Sequence, residues 1–212
     1  QKGTAAPVLE AEVYMPTINS LVLTDKAVLA SCDKLETETF TMTVSDHALV
    51  SHLDVTCATG ELNVSKNAQV TASFGVTSKM YLTVSNSAQV SVTQNGGNAF
   101  ISQANSSYID YKAAVNSIEV EASGSSESHI SGSGSLLKVT GAGLSRVDAE
   151  LIECGDGDVV LSGSAKCHVN VTDHLKVNLV GGSMLTFKRN PAFEIDRVVN
   201  STLIKADDVK RK

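Results

Sequence analysis

The sequence predicts an all-β protein, a parallel β-helix of about ten coils of roughly 17–22 residues. Three observations predict it. A short motif recurs along the 212 residues: Leu23-Thr24-Asp25-Lys26-Ala27-Val28-Leu29 returns as Val44-Ser45-Asp46-His47-Ala48-Leu49-Val50, as Val64 to Val70 and as Val84 to Val90. Apolar residues alternate with polar ones around each copy, the period of a strand with one buried face. Ser, Thr, Asn, Gly and Val dominate the rest, while helix formers do not cluster at spacings of three and four. A unit of about twenty residues cannot bury its apolar face alone, so it must stack on its neighbours.

Taken in chain order, coils open at Leu23, Val44, Val64, Val84, Ile101, Ala122, Val139, Leu161, Leu179 and Val198. Two residues before the openers stand Leu21, Met42, Leu62, Leu82, Ala99, Val120, Leu137, Val159 and Val177, and only Asp196 breaks that inward column. After the turn, the first four coils and the last two re-enter the core six residues on, at Leu29, Val50, Val70, Val90, Leu185 and Ile204. Ile109, Ile130, Val147 and Val169 stand eight residues on, which reads as a turn lengthened by two. An even insertion keeps the inward set facing inward. Gly-rich runs such as Asn95-Gly96-Gly97-Asn98, Ser131-Gly132-Ser133-Gly134, Gly141-Ala142-Gly143, Gly155-Asp156-Gly157-Asp158 and Gly181-Gly182 supply positive φ or tight bends at corners. With strands about 4.8 Å apart, ten coils make a rod on the order of 48 Å long.

The whole chain, 1–212, reads as one β-helix domain: a cap over 1–20, coils over 21–204 and a charged tail over 205–212. Aromatics are 4% and Trp is absent, which suits a narrow core of Val, Leu, Ile and Ala. A net charge of −6 argues against a phosphate-binding surface and hence against nucleic acid. No apolar run approaches the roughly 18 residues of a membrane span; a leader or lipid anchor on a longer precursor is compatible with this.

Residues 118 to 204 carry a more specific signal. Gly155-Asp156-Gly157-Asp158-Val159-Val160-Leu161-Ser162-Gly163-Ser164-Ala165, Leu175 to Ser183, Phe187-Lys188-Arg189-Asn190-Pro191 and the Ser-Gly run Ile130 to Ser135 resemble the family described as putative auto-transporter adhesin, head GIN domain. That family typically repeats S-G-S-G-D and ends on Y-x-G-N-P. Here Cys154 and Asp156 replace serines, Val180 and Gly181 interrupt another copy, and Arg189 stands where Gly is usual. The resemblance implies a right-handed β-helix, a location in the cell envelope of Bacteroidetes-type bacteria, and an adhesin-like or scaffold role without catalysis or cofactor. Glycans and host or envelope proteins are the partner classes it implies.

Individual chemistry is sparse. Gly155-Asp156-Gly157-Asp158 is similar to one copy of a calcium-binding repeat, but a single copy reads as a tight acidic corner. Cys154, Cys167 and His168 lack metal-ligand spacing, and Cys167 and His168 should point to opposite faces, so no metal site is expected. Four cysteines could pair in an oxidising compartment, yet Cys32 to Cys57 and Cys154 to Cys167 are not one coil apart, and buried free thiols are expected. A β-helical polysaccharide lyase or hydrolase is the alternative. It needs carboxylates, or carboxylate and Lys or Arg, converging from consecutive coils; Asp148, Glu150, Glu153, Asp156, Asp158 and Asp173 read at different phases and form no column. No catalytic residue is assigned, although Tyr108 and Tyr111 sit near one another.

Ser and Thr at 24, 45, 65, 85, 102, 123, 140 and 162 form a hydroxyl column that serves corner backbone groups or, as the bolder reading, a multivalent adhesive face. Thr37, Thr39, Thr41 and Thr43 hint at an ice-binding strip, but Cys57, Thr59, Glu61 and Asn63 one coil on break it. The Asn-x-Ser/Thr sites at Asn63, Asn105, Asn170 and Asn200 do not imply glycosylation in a turn-rich chain. Open end coils are strand edges, and homo-oligomers would form through them unless the 1–20 region and the Asp207 to Lys212 charges block growth.

Overall fold

A computed structural model of the protein describes residues 10–15, 17–30 and 32–206. Residues 1–9 and Pro16 of the expected cap, Ser31, and the charged run from Asp207 lie outside them. The described residues form sixteen strands and no helix, and every strand pairing is parallel. Each coil has two legs. A leading leg ends on the opener, as in Ser117–Ala122, and a trailing leg follows the turn, as in Gln89–Asn95. The strand Gln69–Val84 carries a trailing and a leading leg through the second corner without a break. Inward residues of both legs merge into one continuous apolar core of Val, Leu, Ile, Ala, Met and Phe from Leu23 to Phe187.

The first corner is marked by one residue per coil in the left-handed region. Asp25, Asp46, Lys66, Asn86, Asn105, Gly124, Gly143, Gly163, Gly181 and Asn200 all have φ between 51° and 83°, at intervals of 18 to 21 residues. In the second to fourth coils the next residue (His47, Asn67, Ser87) is left-handed too, which gives the two positive φ angles of a type I′ turn. The repeat is therefore more regular than its apolar letters suggest.

That regularity corrects the coil register. Val84 pairs with Gln103, Gln103 with Ala122, Ala122 with Gly141 and Gly141 with Leu161. The fifth and seventh openers are thus Gln103 and Gly141, not Ile101 and Val139. On the trailing leg Ile109 pairs with Ser128, Ser128 with Val147, and Val147 with Cys167. Ser128 and Cys167 hold the inward positions expected at Ile130 and Val169, and Leu203 rather than Ile204 follows Leu185. The lengthened turns do not exist. The two-residue offsets keep each side chain on its proper face, so the alternation does not reveal them, whereas the one-residue offset at the end turns Leu203 toward the core and Ile204 outward. Asp196 is explained as well: the register shifts beside Val177, Ile195 takes the inward partner's place and Asp196 is the extra residue.

Glycine is required for two different reasons. Gly124 has φ +71° and a Cβ there would lie 2.8 Å from the Asn105 nitrogen. Gly157, by contrast, sits within the strand Arg146–Leu161, where a Cβ would meet Val171 at 2.8 Å and Leu175 at 3.0 Å. The 155–158 run is therefore not a free acidic corner: Gly157 is a packing glycine, and Asp156 and Asp158 face outward beside His174 and Lys176.

Candidate functional site: an acid–imidazole groove on the trailing legs

The outward faces of stacked strands bring residues one coil apart into rows about 4.8 Å apart. One row on the trailing legs runs Asp110, His129, Asp148, His168, as successive register partners. Acid and imidazole alternate over four coils. None of the six acidic residues weighed in the sequence is a register partner of another; the row comes instead from Asp110, outside that set, which shares it with Asp148 two coils away while histidines fill the alternate places. Reading the fifth opener two residues early sets Asp110 opposite Ser131 and hides the row.

The neighbouring row is Tyr108, Glu127, Arg146, Lys166. His129 Nε2 lies 3.2 Å from Glu127 Oε1, and the His129 ring tilts against Tyr108 with centroids 5.6 Å apart. Tyr108 and Tyr111 do not cooperate. Tyr111 points inward, fully buried, and its hydroxyl donates to Gln94 Oε1; burial drives its pKa well above the usual phenol value.

A β-bulge deepens the site. Between Ala149 and Glu153 the strand Arg146–Leu161 carries residues with no partner on the next coil, and it is already shifted against Ser131 on the preceding one. The extra residues turn Glu150 out beside Asp148, as bulges re-aim side chains elsewhere. Glu150 N–H donates to Asp148 Oδ1 at 3.2 Å. Lys188, two coils further on, reaches back to Glu150 Oε1 at 2.5 Å, and Arg189 reaches Glu153 at 2.8 Å and Asn170 at 3.3 Å. Asp110, His129, Ser131, Asp148, Glu150 and Lys188 line an open groove of about 540 Å³.

Arg189 has φ 69°, so the position where the family usually carries Gly is left-handed here as well. A side chain has been placed on a backbone bend that glycine would occupy without strain, and it ties three coils together.

The cysteines are all free. Cys57, Cys154 and Cys167 are buried and Cys32 is half-buried. Desolvation raises every one of the four thiol pKa values, that of Cys154 to about 11. Cys167 points into the core and His168 outward, so no Cys–His site forms.

The hydroxyl column also needs revision. Ala104 and Ala142 occupy the positions given to Ser102 and Thr140, since their amides bond Val84 O and Ala122 O. Of the true members, Ser45 bonds Asp46, while Ser123 and Ser162 bond the carbonyls of Gln103 and Gly141. These hydroxyls serve the corner. The threonine strip breaks as expected, with Thr37, Thr39, Thr41 and Thr43 paired to Cys57, Thr59, Glu61 and Asn63.

A stack of parallel coils with its polar groups displayed in rows defines a β-solenoid domain. The profile of the family "Putative auto-transporter adhesin, head GIN domain" matches residues 44–191, and the chain belongs to that family. No curated protein and no solved structure matches it. Among the described residues, no helix is long and apolar enough to cross a membrane.

Proposed function

We propose that this chain is a non-catalytic, adhesin-like binding module of the cell envelope, a single domain that binds a glycan lying along its trailing-leg groove. The observation that carries this reading is the Asp110, His129, Asp148, His168 row: four polar groups presented at the coil spacing suit a repeating partner whose weak contacts add. The family's adhesin description and its surface or envelope association support the same reading. Three carboxylates against one Lys188 ammonium make the groove electronegative, which favours a neutral or amino-sugar polymer over an acidic one.

The test is a glycan and envelope-protein binding array with the wild-type domain and with Asp110→Lys. Retention on neutral or amino-sugar glycans that the variant loses supports the proposal; retention equal in both contradicts the assignment to this groove.

One observation favours the polysaccharide lyase or hydrolase reading: Asp148, Glu150 and Lys188 do converge on one groove. An acidic substrate would meet the same negative groove, which is why the binding reading is preferred. Product release from a panel of acidic polysaccharides, abolished by Glu150→Gln, would reverse that preference.

A further inference from the structure

We infer that Asp148, Glu150 and His168 form a binding site for a first-row divalent transition cation of the zinc type. One ligand atom from each of the three residues lies within 4.8 Å of those of the other two. The separation of His168 Nδ1 and Asp148 Oδ1 is 3.9 Å, too long for a hydrogen bond. Two ligands of a tetrahedral ion at about 2.0–2.1 Å stand about 3.3–3.4 Å apart, so a shared ion would draw this pair together by about half an ångström.

Three features separate this trio from an ordinary acidic surface patch. It contains an imidazole nitrogen, which selects zinc-like ions over calcium or magnesium. Its side chains are withdrawn, with 22% of Asp148, 30% of His168 and 37% of Glu150 exposed, so a bound ion would lose part of its competing hydration. The trio is also built: only the bulge between Ala149 and Glu153 places Glu150 there, and the Glu150 N–H fixes the Asp148 carboxylate through Oδ1. Such backbone support for a ligating carboxylate is the usual companion of a metal ligand.

Lys188 gives the site a second property. Its ammonium rests on Glu150 and competes with a divalent ion for the same carboxylate. Removing that charge must strengthen cation binding, whereas a merely structural ion pair would give no gain. The inference does not depend on what the groove binds, because it concerns the cation alone.

The experiment is isothermal titration of the purified chain with ZnCl2, with thermal melting of each variant as the check on folding. Wild type is expected to show saturable binding whose strongest site is weakened at least tenfold by Asp148→Asn and by His168→Gln. Lys188→Met should tighten it several-fold, and His47→Gln, on a distant corner, should leave it unchanged. Four results would overturn the proposal: no saturable binding, zinc affinity unaltered in folded His168→Gln, no gain in Lys188→Met, or calcium binding tighter than zinc at these residues.

Discussion

Inside the rod, the buried Ser128 hydroxyl donates to the side-chain oxygen of Gln103, while the Gln103 amide donates to Ser107 O at 2.9 Å and Glu127 O at 2.8 Å. Gln103 is the opener of its coil and Ser128 the first inward residue of the next trailing leg, so the bond locks two coils at the first corner. Both are essentially sealed from water. Gln103→Ala strands two carbonyls and a hydroxyl and leaves a void, which should cost about 2–4 kcal/mol in urea unfolding. A double-mutant cycle with Ser128→Ala should return a coupling of about 1–2 kcal/mol, whereas additive losses would show the pair to be independent.

Next to that lock are two groups that lack one. The hydroxyls of Ser126 and Ser145 are buried without a partner, at a corner position that Ala48, Ala68, Ala88 and Ala165 fill in other coils. An unpaired buried hydroxyl costs about 1–3 kcal/mol, and the alanine shape already fits. Ser126→Ala and Ser145→Ala should therefore each stabilise the rod by about 1 kcal/mol, read as a higher denaturation midpoint; a lower midpoint for both would show that the hydroxyls are satisfied in solution.

The left-handed corner column orders a second set of variants. Gly124→Val puts a β-branched residue at φ +71° against the Asn105 backbone and should cost at least about 2 kcal/mol. Lys66→Gly relieves strain at φ 53° but gives up the exposed ion pair with Asp46, worth at most about 1 kcal/mol, so it should melt close to wild type. Arg189→Gly loses an exposed ion pair worth at most about 1 kcal/mol but relaxes φ 69°, so it should melt close to wild type and above Arg189→Ala.

Two groups held in exposed ion pairs, Lys176 and Asp46, set opposite pH dependences. Hydrogen bonding to Glu194, then to Asp196, holds the Lys176 ammonium above its usual pKa of 10.5. A raised pKa contributes stability that is fully present below the unfolded value and is lost as pH rises through the folded one. Lys176 clamps the end strand Ala192–Val199, so amide exchange there should accelerate above about pH 10.5 beyond its intrinsic rise, and Lys176→Met should abolish that excess. Asp46 behaves in reverse. The Ser45 hydroxyl, followed by Lys66, lowers its pKa from 3.8, so its contribution is present at neutral pH and lost as pH falls below about 4.

Architecture is legible because it is written in parity: Leu62, Val64 and Val70 alternate with polar residues whichever coil is considered, and stacking is the only way to bury them. Register is not legible at Gln103, Ser128 and Gly141, where the inward column is polar or bare and apolar neighbours two residues away imitate it. The φ signature carries it instead, since Asn105, Gly124 and Gly143 are the residue types that tolerate the left-handed region. The groove is hidden for the same reason, and further because Glu150 enters it through a bulge, which no periodicity announces.

The groove exists only if Asp110 stacks on His129, and paired cysteines measure that directly. In a Cys32→Ser background, Asp110→Cys with His129→Cys places two outward thiols on neighbouring strands within disulfide reach, whereas Asp110→Cys with Ser131→Cys follows the register suggested by the apolar letters. Mild oxidation followed by peptide mass spectrometry should find the cross-link in the first pair and not the second. A cross-link found only in the second pair would contradict the register, the acid–imidazole row and the site built on it.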